Sequence, residues 1–263
     1  MDFDPAPQLR HVYQGVLDIF KACLGLLREL ARKNEVVQQA LFDRLDFLMK
    51  IPCCEQEIGL ALCEVFRYNE SLCLQVSPHT IRALMAMLAR NSIHAPSIIQ
   101  VFLTLVTVTD KEQPIKRNQI LVIKALTEYR KEVLEPAFLD DEDNREFLHL
   151  RFDLLSSGSD EKGNPWPMPA YGQHIGKEKG GTLWTQEELD YNIWLVDLLA
   201  SCGRGGGRYV ESVLQATFSV EQLLQLFNEE NTALIHKRPY IRFLVYVHIL
   251  SSTPGISQLV SNK

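Results

Sequence analysis

The stretch "SCGRGGGRYVES", residues 201 to 212, has the residue types to hold an anion. Gly203, Gly205, Gly206 and Gly207 surround Arg204, and Arg208 follows at once. Glycine-rich loops that open a helix offer backbone amides to phosphate, and arginine adds charge-assisted hydrogen bonds. A Walker-type phosphate loop, however, needs a preceding strand and a final Gly-Lys-Ser/Thr. A dinucleotide fingerprint needs a strand and a suitably spaced acidic residue. Here the flanking pattern is helical and "GRY" stands in that place. The favoured reading is a helix C-cap and a flexible interhelix joint, since glycine tolerates left-handed backbone. An anion held at the next helix start is the alternative.

Three basic pairs, Arg32-Lys33, Lys116-Arg117 and Lys237-Arg238, each fall at a helix junction. Cations at a helix C-terminus offset its dipole, the ordinary structural role. Gathered on one concave surface, they would instead hold a multiply phosphorylated ligand. The run Asp140, Asp141, Glu142, Asp143 fits two positions of a calcium loop, but Arg145 breaks the ligand series and no Gly follows. It reads as a solvated turn capping a helix at Arg145.

No metal site is expected. Cys53 and Cys54 are adjacent, and no C-x-x-C or H-x-x-x-H pair exists. Cys23, Cys63, Cys73 and Cys202 complete a set without a regular framework, read as reduced cytosolic thiols that pack as small hydrophobes. His248 lies in an apolar helical segment and reads as a core or partly buried histidine. No Gly-x-Ser-x-Gly elbow or Cys-His arrangement is legible, so neither an enzyme nor a bound cofactor is expected.

The elements that would position these residues are helices. Leu9, Val12, Tyr13, Val16, Leu17, Phe20, Leu24, Leu27 and Leu30 form a ladder at helical spacing. Asn34 caps a second helix with Val37, Leu41, Leu45 and Leu48 as its stripe, stopped at Pro52. Residues 54 to 68 form a third. Ser77 caps a fourth, with Pro78 in its first turn. "HAPS" opens a fifth and "TDKEQP" is a turn. Further helices are expected over 115 to 131 and Phe147 to Leu155. Residues 156 to 182 are crowded with Gly, Pro and charge, and read as a long mobile loop. Helices resume with capping boxes at Thr185/Glu188 and Ser219/Gln222. The last is "RPYIRFLVYVHIL", with Pro239 near its start.

This helix-after-helix pattern predicts an all-α, armadillo-like helical solenoid of stacked pairs or triples. Residues 1–155 form N-terminal repeats, 156–182 the loop, and 183–263 C-terminal helices continuing the same solenoid. The chain has 263 residues, 46% of them hydrophobic, and a net charge of -6. That charge argues against a general nucleic-acid binder. No apolar run is long enough to span a bilayer, so no membrane insertion by this segment is expected. The acidic start "MDFDPAPQLR" carries no secretory signal.

The segments "ARKNEVVQQALFDRLDFLM", "VFRYNESLCLQVSPHTIRALMAMLARN", "QPIKRNQILVIKAL", "YNIWLVDLLASCGRGGGRYVESVLQATFSVEQLLQLF" and "KRPYIRFLVYVHIL" resemble, in order, a known helical region. It is the one shared by inositol trisphosphate receptors and ryanodine receptors, the RIH homology domain. The resemblance implies a non-enzymatic module on the cytoplasmic side of the endoplasmic reticulum or a similar calcium-store membrane. Its partners would be neighbouring domains or subunits of a large calcium-release channel. It would relay ligand or partner binding toward the pore. In the trisphosphate receptors a Tyr-Arg-Lys-Asn-Gln stretch helps hold the ligand's phosphates. Arg32 and Lys33 match its basic pair, so an inositol phosphate is the implied ligand, while Ala31 and Glu35 depart from it. The family's site also uses an earlier basic helix and a β-trefoil, neither visible here, which implies an excised domain or a short relative. A free armadillo-type adaptor binding a partner protein or peptide is the alternative.

Overall fold

The computed structural model describes residues 7–91, 94–108, 113–134, 139–140, 148–149, 186–228 and 234–251. Its helices are α1 (Pro7–Ala31), α2 (Glu35–Phe42), α3 (Leu45–Leu48), α4 (Glu55–Phe66) and α5 (Glu70–Gln75). Then come α6 (Pro78–Asn91), α7 (Ser97–Val106), α8 (Lys116–Glu128) and α9 (Arg130–Leu134). After them lie α10 (Gln186–Gly203), α11 (Arg208–Gln215), α12 (Val220–Asn228) and α13 (Leu234–Phe243), which runs into a π-helical turn, Leu244–Ile249. β1 (Thr107–Val108) pairs antiparallel with β2 (Gln113–Pro114), and β3 (Leu139–Asp140) with β4 (Leu148–His149).

The fold is all-α, and the helices pack in sequence order. α4 lies between α1 and α7, and α10 lies between α7 and α13. The row α1–α4–α7–α10–α13 is thus the spine. α2, α6, α8 and α11 cover it, with α8 touching α6, α7, α10 and α11. A spine helix held between two neighbours must be apolar on two sides. α4 accordingly buries Ile58, Ala61, Leu62, Cys63, Val65 and Phe66. Phe66, Phe102, Tyr191, Phe218, Tyr240 and Phe243 are the largest buried rings along the spine and its cover. Each contributes roughly 1.5–3 kcal/mol by leaving water. α4 and α7 approach so closely that a Cβ on Gly59 would lie 2.2 Å from Ser97 Oγ.

Helix starts follow local chemistry. Thr80 N donates to Ser77 Oγ at 3.0 Å, one residue before Pro78. Ser219 and Gln222 close a reciprocal box: Gln222 N donates to Ser219 Oγ and Ser219 N to Gln222 Oε1. Thr185, Asp141 to Arg145 and residues 156–182 lie outside the described residues.

Several expectations need correction. The expected helix after Asn34 breaks at Asp43 and Arg44, so its stripe is shared by α2 and α3. The α1 ladder mixes two faces: Leu24 is buried and Leu27 packs against the core, but Tyr13, Val16, Phe20 and Leu30 are exposed. Leu148–His149 is a strand where a helix was expected, and Gln113–Pro114, the end of the expected turn "TDKEQP", form β2, while its first four residues lie outside the described ones. α5 was not anticipated. Pro239 lies inside α13 rather than at its start, because the helix begins earlier, at Leu234.

Candidate functional site

α1 ends at the fully buried Ala31, and the chain turns through Arg32 and Lys33 before Asn34 caps α2. Lys33 has φ 54, the left-handed geometry that glycine usually supplies at this position. Asn34 Oδ1 accepts from Val37 N at 3.3 Å. The Arg32 guanidinium donates to Glu29 Oε1 at 2.9 Å, and both side chains are about half exposed. Such a surface pair is worth little, so the guanidinium is available to a stronger anion. Lys33 Nζ lies 5.6 Å from the centre of the Tyr68 ring.

Tyr68 belongs to an equivalent turn between α4 and α5. It too is left-handed, with φ 62, and Asn69 behind it caps α5 by accepting from Leu72 N. Gln38 joins the two turns from inside. Its Nε2 donates to the carbonyls of Glu64 and Arg67, and its Oε1 accepts from Asn69 Nδ2 at 2.9 Å. Arg67 pairs with the buried carboxylate of Glu64. The two turns therefore present Arg32, Lys33 and Tyr68 to solvent on a fixed frame. Gln38, Tyr68 and Asn69 were not read from sequence as part of this site. The repeated Lys-Asn-Glu and Tyr-Asn-Glu at 33–35 and 68–70 carried the signal.

The other basic pairs are engaged differently. Lys116 and Arg117 open α8 rather than close a helix, so a C-terminal role in their own helix is excluded. Arg117 instead donates to the carbonyls of Leu74, in the last turn of α5, and of Val76, its C-cap. Lys237 Nζ donates to the Phe227 carbonyl in the last turn of α12. Both serve another helix's dipole. The pair at 32–33 directly follows the C-terminus of α1, where a cation offsets the helix dipole, but among the described residues neither side chain is hydrogen-bonded to a helix carbonyl.

The glycine loop is a packed joint, not a flexible one. A Cβ on Gly203 would lie 2.5 Å from Val247 Cγ2, and one on Gly206 would lie 2.6 Å from the Cys202 carbonyl oxygen. Gly205 and Gly207 have φ of 64 and 89, and Gly207 is the N-cap of α11. Gln119 Nε2 donates to the carbonyls of Ser201 and Arg204. The Arg204 and Arg242 guanidiniums lie 5.4 and 5.9 Å from the Tyr246 ring, and Arg242 pairs with Asp197. Burial pushes the Asp197 carboxyl up, against the opposing pull of Arg242 and Arg238. The helix-connection reading fits these contacts.

His248 is buried, and its Nε2 lies 3.0 Å from the Phe218 carbonyl. A carbonyl only accepts, so Nε2 carries the proton. Cys63, Cys73 and Cys202 are buried, and burial pushes the Cys63 thiol up to about 12 although Arg67 and Arg28 favour its thiolate. Cys23 departs from the core expectation and is exposed, while Cys53 and Cys54 are half-buried. Among the described residues, no group of three or more His, Cys, Asp or Glu is placed to hold a metal. No described helix is long and apolar enough to cross a membrane.

No family model matches the chain. It is similar to the inositol 1,4,5-trisphosphate receptor itr-1 of Caenorhabditis elegans, 24% identical over 256 residues. That match covers 95% of this chain and 8% of the receptor. The chain therefore spans about a twelfth of the length of the curated relative it matches.

Proposed function

We propose that this chain is a non-enzymatic regulatory module of an intracellular calcium-release channel, of the inositol trisphosphate or ryanodine receptor kind. The observation that carries this reading is the similarity to a receptor of that name along nearly the whole chain. The row of helices gives the reading a mechanism. Each spine helix packs on the next, so a displacement of α1 by a ligand or neighbour is passed as a rigid-body shift toward α13. Neighbouring domains or subunits of the channel are the partners, on the cytoplasmic face of a calcium-store membrane. The division into repeats over 1–155, a loop over 156–182 and further repeats over 183–263 belongs to the same proposal, as does assignment to the RIH domain.

Within that module, Arg32 and Lys33 are the proposed contacts to an inositol phosphate. Support comes from their solvent exposure and weak engagement, and from the use of Arg117 and Lys237 of the other two pairs on helix carbonyls. Arg32 offers a planar fork to one phosphate and Lys33 a point charge to another. Calorimetric titration of inositol trisphosphate into this protein and into the double variant Arg32→Ala/Lys33→Ala tests the pair. Binding by the unmodified protein, weakened at least about tenfold in the variant, is expected. Equal heats, or none in either protein, end the case for these residues. The wider role is tested by calcium release from stores, which a free adaptor would not control.

A further inference from the structure

Cys53 and Cys54 stand side by side at the entry to α4, a spine helix. Both are half-buried, unlike Cys63, Cys73 and Cys202, which the core encloses. Cys54 is the N-cap of α4, yet its side chain makes no capping hydrogen bond. Ser, Thr, Asp or Asn would make one there. The Cys54 backbone is left-handed, with φ 62 and ψ 35, a costly geometry for a residue with a Cβ. Among the described residues Lys33 and Tyr68 share that sign of φ, but each precedes an asparagine that caps the next helix. Cys54 is itself the cap, so helix capping does not account for its geometry. Its thiol hydrogen-bonds to the thiol of Cys53 instead.

We propose that Cys53 and Cys54 are a vicinal dithiol, a modification site at which a small-molecule disulfide oxidises the two neighbouring thiols to a disulfide. Cys54 is the thiol that holds its proton. Partial burial, and then the hydrogen bond and charge of Cys53, push its pKa up to about 11. Cys53 is therefore the sulfur that attacks. It releases its proton and bonds to one sulfur of the reagent, whose S–S bond breaks, and the other half leaves and takes up a proton. The Cys54 sulfur then gives up its proton and bonds to Cys53. The mixed disulfide breaks, and the remaining half of the reagent leaves as a thiol. Two protein thiols are thus oxidised by two electrons, and one reagent disulfide is reduced to two thiols. The trans peptide between the residues sets their Cα atoms about 3.8 Å apart, closer than the about 4.4–6.8 Å of an ordinary disulfide. The ring is strained, and strained disulfides are the labile ones. It forms while the oxidant is in excess and reopens when thiol returns, which suits a switch rather than a staple.

The test is incubation of the folded, reduced protein with excess glutathione disulfide, then alkylation of the remaining thiols and mass spectrometry. A glutamate-specific protease releases the peptide from Val36 to Glu55, which holds only these two cysteines. In the native protein that peptide should lose two hydrogens, carry no glutathione and resist alkylation, and dithiothreitol should restore both thiols. Exposed Cys23 has no cysteine beside it and should retain glutathione, while the buried Cys63, Cys73 and Cys202 stay thiols and report an intact fold. In Cys54→Ser the second step is lost, so Cys53 should retain glutathione. Should that variant lose its fold, Cys54→Ala carries the same expectation. Two free thiols at 53 and 54 once Cys23 is fully modified overturn the proposal. Glutathione retained on Cys53 of the native protein, to the same extent as in the variant, overturns it too.

Discussion

At 33–35 and again at 68–70 the chain solves one local problem twice. A left-handed residue ends one helix, an asparagine caps the next, and a glutamate enters its first turn. Asn34 was legible because a clear apolar stripe follows it. Asn69 was not, because α5 has only six residues and too short a stripe to register. Arg32 and Lys33 were legible only as a basic pair. That they bond a surface carboxylate and lie over a ring, where Arg117 and Lys237 bond helix carbonyls, became visible only in the structure. His248 was readable as a buried histidine, and its surroundings make a definite prediction. Burial lowers its pKa below the ordinary 6.5, against the raising effects of the Phe218 carbonyl and Glu221. The unfolded chain takes up a proton as pH falls through about 6.5 while the folded ring stays neutral. Stability from this group is thus full above that value and lost as pH falls toward the folded pKa. Urea midpoints measured between about pH 7.5 and pH 5.5 should fall in the native protein. The fall should be smaller in His248→Gln, which keeps a donor for Phe218. An identical fall in both proteins would assign the effect elsewhere.

Helix ends, rather than helix middles, hold neighbouring elements in register. The last carbonyls of a helix have no partner within it. Here side chains from other helices supply one. Gln38 serves α4, Asn118 serves the Cys73 carbonyl of α5 and the Leu105 carbonyl of α7, and Gln119 serves α10. These amides are buried and interrupt apolar stripes, so a reading based on hydrophobic periodicity passed over them. The same periodicity located most of the longer helices correctly, because their packing faces are apolar. It missed the breaks at Asp43 and Tyr129 and the π-helical turn, where backbone geometry departs from a regular helix without a proline or glycine to mark it. Asn118→Leu removes three hydrogen bonds, one from Arg117 and two to the carbonyls of Cys73 and Leu105, a cost of about 2–4 kcal/mol. The exposed Gln39→Leu, which breaks only a surface contact with Asp43, should stay within ~0.5 kcal/mol of the native protein. Denaturant unfolding of both variants checks the contrast. Equal small losses would mean that the amide stitches do not bind the elements together.

Across the whole molecule, the spine from α1 to α13 is the property that connects structure to the proposed role. An all-α stack was legible from sequence because helical spacing recurs in almost every segment and the strands are only two residues long. The order of the spine was not, because α7 meets α10 across a long separation in sequence, and periodicity carries no information on which helix a face will meet. The proposed ligand site lies at the C-terminal end of α1. A shift there would be felt by every spine helix in turn. The proposed role is that the protein carrying this sequence controls calcium release. Its most direct test is inositol trisphosphate-evoked calcium release from the stores of permeabilised cells, before and after acute depletion of that protein. Release should be reduced or lose its normal ligand dependence, and restoring the protein should recover it. Release of unchanged size and sensitivity after complete depletion would contradict it.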